Sequence, residues 1–228
     1  MRKVAIFDID GTIFRSSLLI ELVEGLIDRG LFDEQVREGY RTEYEGWLDR
    51  VGGYEEYIKA VVEVFLANIK GVPFAAFDEV ADEVVGRHRS RVYRFTRDLI
   101  AELKQDGYFL LAVSQSPKRV LDKFCEGFGF DKVYGRFYEL GPGDRFTGKV
   151  QDEHLIANKA NIVKRAVEKE GLTLDGSYGV GDTEDDIPFL ELVTRPICFN
   201  PNSGLYRYAR INSWRIVVER KDVIYEIQ

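Results

Sequence analysis

The sequence predicts an α/β fold: a doubly wound, mainly parallel sheet with an all-helical segment inserted after the first strand. Three observations predict it. Val4-Ala5-Ile6-Phe7 is a continuous apolar run ending at Asp8, the pattern of a buried parallel strand rather than an alternating, half-exposed one. Residues from about 14 to 94 repeat apolar positions at helical spacing without a convincing strand. From about residue 96 onward helix and strand patterns alternate, which means a parallel sheet with helices on both faces. The expected division is a core of residues 1–14 and 95–228 and a helical insertion of 15–94, and 228 residues suffice for both.

The elements follow in order. The first strand closes on Asp8-Ile9-Asp10-Gly11-Thr12. Leu18, Leu19, Leu22, Val23, Leu26 and Ile27 then keep helical spacing as far as Gly30, a natural stop. Asp33 suits the cap of a second helix carrying Val36, Tyr40, Tyr44, Trp47 and Leu48 on one side. After Gly52-Gly53 the pattern resumes with Tyr54, Tyr57, Ile58, Val61, Val62, Phe65 and Ile69, ends at Gly71 and Pro73, and is followed by a helix over 74–85. A helix over about 96–105 ends at Gly107, and 108–113 is an apolar strand. Ser116-Pro117 opens the next helix, with serine as cap and proline in the first turn. Strands near 132–138 and 146–149 flank Gly141-Pro142-Gly143-Asp144, a hairpin turn. A helix over about 157–170 leads to a strand over 177–180 and a short helix from Asp185. A strand over 197–199, a helix near Leu205 and a last strand over 216–218 complete the alternation.

Composition narrows the function. A formal charge of −7 argues against nucleic acid, whose phosphates call for basic patches. With 45% hydrophobic and 31% charged residues, the chain is an ordinary globular protein that can bury a core. No apolar stretch approaches the roughly 18 residues of a membrane span. The N-terminus enters a strand without a signal-peptide pattern, so the expected location is cytoplasmic. Cys125 and Cys198 have neither disulfide-framework nor zinc-ligand spacing and read as buried small hydrophobes. His88 and His154 are too few and too scattered to suggest a metal site.

The chemistry gathers at strand ends, where open α/β sheets bind their ligands. Asp8 and Asp10 repel each other unless a cation or a shared proton neutralises them. Mg²⁺ is the simplest cation for one or two carboxylates, although a solvated acidic turn has the same composition. Ser114 follows the strand over 108–113 and precedes a helix, so its hydroxyl reads either as an anion contact or as a cap. Lys159 lies near the start of a helix, where a cation opposes the dipole. In Gly181-Asp182-Thr183-Glu184-Asp185-Asp186-Ile187-Pro188 a second apolar strand ends in acids. Capping explains their types, but not why two strands should both end in carboxylates. Together, Asp8, Asp10 and Asp182 converge on a hard cation, Lys159 offsets negative charge, and Ser114 receives a phosphate.

Asp8-Ile9-Asp10-Gly11-Thr12, Ser114, Lys159 and Gly181-Asp182-Thr183-x-x-Asp186-x-Pro188 resemble the four motifs of the haloacid dehalogenase-like hydrolases, over the whole chain. The insertion is similar to that family's class I cap. The hairpin with Arg145-Phe146-Thr147-Gly148 and the later Phe199-Asn200-Pro201 resemble its phosphoserine phosphatase-like branch. The resemblance implies a Mg²⁺-dependent phosphatase acting on a small phosphorylated metabolite. In it Asp8 is the nucleophile, forming an aspartyl phosphate, and Asp10 is the general acid/base. It implies Mg²⁺ on Asp8, the Asp10 main-chain carbonyl and Asp182. Ser114, Gln115, Lys159 and the amide of Ile9 would bind the phosphoryl group, with Thr12 and Asp186 as supporting partners.

An acid two residues after the nucleophile separates phosphatases of this family from its dehalogenases. The branch's phosphoserine phosphatases carry a glutamate seven residues after the second aspartate; here Ser17 stands there, with Glu21 one turn onward. The resemblance therefore points to a substrate other than phosphoserine. Arg87, Arg89 and Arg91 read either as contacts for a second anionic group or as a solvent-facing cluster. A phosphomutase is the alternative within enzymes. A phospho-receiver domain is the alternative outside them, and the length and the inserted helices disfavour it.

Overall fold

The computed structural model describes residues 1–151 and 158–227. The expected helix start at residue 157 and His154 lie outside the described residues. Among the described residues eight strands form one sheet: β1 (Arg2–Phe7), β2 (Phe109–Pro117), β3 (Lys132–Gly141), β4 (Arg145–Gln151), β5 (Leu172–Gly181), β6 (Arg195–Phe199), β7 (Arg215–Arg220) and β8 (Val223–Ile227). Their spatial order is β4-β3-β2-β1-β5-β6-β7-β8. Neighbours from β3 to β7 are parallel, and β4 and β8 close the two edges antiparallel.

β1 shows why its apolar run is continuous. Val4, Ala5, Ile6 and Phe7 are all fully buried, because both faces of the strand are covered and successive side chains point to opposite faces. Ala5 and Phe7 join a core with α5 (Arg94–Gln105) and α6 (Lys118–Glu126). Val4 and Ile6 join the opposite core with α7 (Lys159–Glu170), α8 (Ile187–Leu190) and α9 (Ser203–Ile211). The chain leaves β1 for β2 on one side and returns as β5 on the other. The crevice beyond the carboxyl ends of β1 and β5 is thus a topological switch point, where such sheets bind ligands.

Between β1 and β2 run α1 (Leu18–Asp28), α2 (Glu38–Leu48), α3 (Tyr54–Asn68) and α4 (Phe74–His88). A 3-10 turn, Glu34–Arg37, is capped by Asp33 and leads into α2. Gly25 lets α1 and α4 close up, since a Cβ there would stand 2.8 Å from a Val80 methyl. The outward and return segments run side by side: Arg15 N–H donates to Arg91 O at 2.9 Å, and Tyr93 N–H to Ile13 O at 3.0 Å. The β3–β4 hairpin rests on the α3–α4 loop, with Gly71 N–H donating to Phe146 O at 2.8 Å and Phe74 N–H to Asp144 O at 2.8 Å.

Three expectations are corrected. Ser116 does not cap α6: β2 continues through Pro117, which pairs with Arg136 of β3, and α6 starts only at Lys118. The strand at 216–218 is not the last, because β8 follows a tight turn at Lys221 and pairs antiparallel with β7. Tyr44 and Leu48 were expected on the packed side of α2, yet they are 38% and 52% exposed; only Tyr40 of that helix is buried.

Candidate active site

Because β1 and β5 are parallel neighbours, the residues that follow them reach the same point. Asp8 is 4% exposed, and its N–H donates to Val180 O at 2.9 Å, tying the loop to β5. Lys159, the first residue of α7, reaches between the strand ends. Its Nζ donates to Asp8 Oδ1 at 2.6 Å and to Asp186 Oδ1 at 2.5 Å. These two carboxylates offset the unfavourable helix-dipole position of the lysine. Asp186 Oδ2 accepts the N–H groups of Asp182 and Thr183 at 2.9 and 3.1 Å, so both of its oxygens are engaged. Asp182 Oδ1 accepts the Thr12 hydroxyl at 3.1 Å. Oxygens of Asp8, Asp182 and Asp186 lie within 4.8 Å of one another. Asp8 Oδ2 is buried without a hydrogen-bond partner.

The electrostatics follow from this crowding. Burial, opposed by Lys159 and reinforced by Asp186 and Asp10, pushes the Asp8 carboxyl up to about 7. Burial, then Asp8 and Asp186, lifts the Asp182 carboxyl well above the usual carboxylate range. Burial would depress Lys159, but Asp186 and Asp8 outweigh it and hold the ammonium charged. Two carboxylates raised together mark a site short of positive charge. Gly11 is also required here: its φ is +81°, and a Cβ would stand 2.0 Å from Asp182 Oδ2.

Asp10 is oriented by two donors. Leu18 N–H, at the start of α1, donates to Oδ1 at 2.6 Å, and the Ser114 hydroxyl donates to Oδ2 at 2.6 Å. Ser114 Oγ in turn accepts Ser116 N–H at 2.9 Å. A cavity of about 380 Å³ opens in front of these groups, with Asp8, Asp10, Gln115, Lys159 and Asp182 in its wall. Ile9 is fully buried and its carbonyl accepts the N–H groups of Ile13 and Phe14, both at 2.9 Å, which shapes the loop. The structure thus brings Asp8, Thr12, Lys159, Asp182 and Asp186 into one hydrogen-bonded network and Asp10 with Ser114 into a second, with Asp8, Asp10, Lys159, Asp182 and Gln115 all on the cavity wall.

The arginine cluster is not part of that wall. Arg87 and Arg89 are exposed. Arg91 pairs with Glu21 at 2.7 Å and lies over the Phe14 ring. Glu21 and Arg91 line a second cavity of about 750 Å³, together with aromatic residues of α2 and α3. Ser17 caps α1 by accepting Leu19 N–H at 3.2 Å and also lines the first cavity. Sequence reasoning missed Glu55, Lys59 and Arg136 on the first cavity's wall. Charged residues on a helix or an outer strand carry no local signal that separates them from solvated ones.

A switch-point crevice with acids at two strand ends, a buried lysine between them and a helical segment above defines a haloacid dehalogenase-like site. Residues 5–191 match the family model for haloacid dehalogenase-like hydrolases, and the chain belongs to that family. Within it, the chain is similar to the phosphoserine phosphatase-like branch. It is 25% identical over 234 residues to a histidinol-phosphatase of Neisseria meningitidis, covering 95% of this chain and 99% of the relative. It is 25% identical over 205 residues to a phosphoserine phosphatase of Archaeoglobus fulgidus, covering 90% of this chain and 54% of that protein. A solved phosphoserine phosphatase, captured as an analogue of its phospho-aspartyl intermediate, shares the fold with a TM-score of 0.62. It is 23% identical, and the match covers 97% of this chain and 95% of that one.

Proposed function

We propose that this protein is a Mg²⁺-dependent phosphatase that cleaves a small phosphomonoester through an aspartyl phosphate on Asp8, with residues 15–94 as its cap. The observation that carries the reading is the Asp8 carboxylate: Asp8 lines the cavity, one of its oxygens is fixed by Lys159, and the other is buried and unpartnered. Among the described residues it is the one buried side-chain oxygen or nitrogen without a partner.

Asp8 attacks phosphorus; the P–O bond to the alcohol breaks as the bond to Asp8 forms. Asp10 gives the leaving oxygen its proton, then takes one from the water that hydrolyses the aspartyl phosphate. The Ser114 hydroxyl, now on Asp10, turns to a phosphoryl oxygen when substrate binds, which frees Asp10 Oδ2 for the proton transfer. Lys159 holds Asp8 in line and offsets charge on the phosphoryl oxygens. Asp186 positions Lys159, and Thr12 positions Asp182.

The donors fit Mg²⁺, which takes oxygen ligands and few carboxylates. Asp8 Oδ2 is unengaged, Asp182 is crowded against it, and Asp186 has no oxygen to spare. Asp8, Asp182 and the Asp10 main-chain carbonyl would hold the ion. When bound, it neutralises these carboxylates and the phosphoryl oxygens. The relatives' names, histidinol-phosphatase and phosphoserine phosphatase, support phosphomonoester chemistry. The test is hydrolysis of an aryl phosphate by the purified protein, abolished by a chelator and restored by added Mg²⁺. Activity indifferent to chelator would remove Asp182 from its metal role. Release of inorganic phosphate, rather than an isomerised sugar phosphate, separates this reading from a mutase.

A pH effect follows for the chelator-treated protein. Folded Asp8 keeps its proton up to about 7, whereas an unfolded aspartate releases it near 3.8. The folded state therefore binds more protons between these values, so stability falls as pH rises through the window. Thermal melts are expected to show the Tm of the wild type falling relative to that of Asp8→Asn as pH rises across the window. A difference that stays constant or grows in the wild type's favour contradicts the raised carboxyl.

A further inference from the structure

The cavity in front of Asp8 carries two cations that phosphoryl transfer does not use. Lys59 of α3 and Arg136 of β3 both line it. Glu55 lies four residues before Lys59 on α3, the spacing at which the two would pair across one helical turn. Instead the Glu55 carboxylate accepts a hydrogen bond from Asn202 Nδ2 at 2.7 Å, and Lys59 has no ion-pair partner among the described residues. The Arg136 guanidinium donates to Gln115 Oε1, a neutral oxygen that holds the group in the wall without cancelling its charge.

Packing brings together the two elements that carry these cations. Arg136 and Tyr138 share one face of β3, two residues apart. The Tyr138 ring packs edge-on against Phe65 of α3, with centroids 5.1 Å apart, so that strand face is seated on the helix carrying Lys59. Ile58 and Val62 of the same helix add an apolar surface suited to a short carbon skeleton. The acids Glu55 and Asp185 also line the cavity, and burial together with Glu184 and Asp185 lifts the Glu55 carboxyl. For an anion entering the cavity, Lys59 and Arg136 are the lining cations besides Lys159. A volume of about 380 Å³ matches a small metabolite, at the low end of the roughly 300–1,000 Å³ of ligand pockets.

We propose that Lys59 and Arg136 form a second anion subsite, which recognises a carboxylate or a second phosphate on the alcohol half of the substrate. The inference rests on Asp8 and Lys159 marking the phosphoryl position. It replaces the Arg87, Arg89 and Arg91 cluster, which does not line this cavity.

The test compares matched esters in the presence of Mg²⁺. One arm sets 3-phosphoglycerate against glycerol 3-phosphate, which differ by a carboxylate; the other sets fructose 1,6-bisphosphate against fructose 6-phosphate. The expected result is a preference for the more anionic member of at least one pair, by about tenfold or more in kcat/KM, the scale of a charged hydrogen bond. The pair that shows it identifies the second anion. Lys59→Met and Arg136→Met should each collapse that ratio through KM, and Lys59→Arg should retain it. Calorimetric affinities of the Asp8→Asn protein for the same esters read the subsite without turnover. Failure of the wild type to hydrolyse any phosphate ester would count against the phosphatase reading, while the calorimetry still decides the subsite. Equal affinity within both pairs, or a preference that survives both methionine variants, overturns the proposal.

Discussion

Replacing Asp8 by asparagine is expected to lower aryl phosphate turnover by about a thousandfold or more, as losses of other nucleophiles do. The amide keeps the shape of the side chain and can still accept from Lys159 through its oxygen, so the effect isolates nucleophilicity from packing. The fold should survive, because the substitution removes a carboxylate from a crowded cluster in which burial already pushes Asp8 up to about 7. Steady-state kinetics together with a thermal melt separates the two contributions. Near-normal turnover in a folded variant would remove Asp8 from the nucleophile's role, and with it the aspartyl phosphate.

The second large effect is expected from Lys159→Met. Among the described residues, Lys159 is the cation that forms ion pairs with Asp8 and Asp186, and all three side chains are at most 6% exposed. Removing one partner of a buried ionic group leaves the others uncompensated and costs about 3–5 kcal/mol. For a chain of this size that corresponds to a Tm lower by on the order of 10 °C, together with loss of turnover. Without Mg²⁺ the deficit should shrink as pH is lowered, because Asp8 and Asp182 then take up protons and the repulsion fades. A deficit independent of pH would mean that lost packing, not charge, caused it.

The motifs of the candidate site were legible because each is local and each departs from what local structure requires. An apolar strand does not need two acids after it, a helix start does not favour Lys159, and capping explains the types in Asp182-Thr183-x-x-Asp186 without explaining their recurrence. The helices of the insertion were legible for the same reason, since apolar spacing reports a packed face. Local rules failed where long-range pairing overrode them. Ser116-Pro117 reads as a helix start, yet the pairing of Pro117 with Arg136 draws it into β2. β8 escaped notice because four of its five residues are exposed, so it lacks a buried apolar face to report it. Tyr44 and Leu48 keep helical spacing, but α2 lies at the periphery and buries only Tyr40.

What the sequence by itself determined is the candidate centre: Asp8 and Asp10, Ser114, Lys159, Asp182 and Asp186, in that order and at strand ends of an alternating fold. Residue type and spacing are enough there, because the chemistry depends on short stretches that carry their own geometry. What only the tertiary structure decided is which charged groups share the cavity with that centre. Lys59 and Arg136 are 77 positions apart in the sequence, and each alone looks like a solvated charge. They share a cavity because the β3–β4 hairpin packs on α3, whereas Arg91, paired with Glu21, lines the adjoining cavity that meets the first at Tyr54 and Asp182. The lining of this cavity is a property of packing between distant segments, and packing has no short sequence signature.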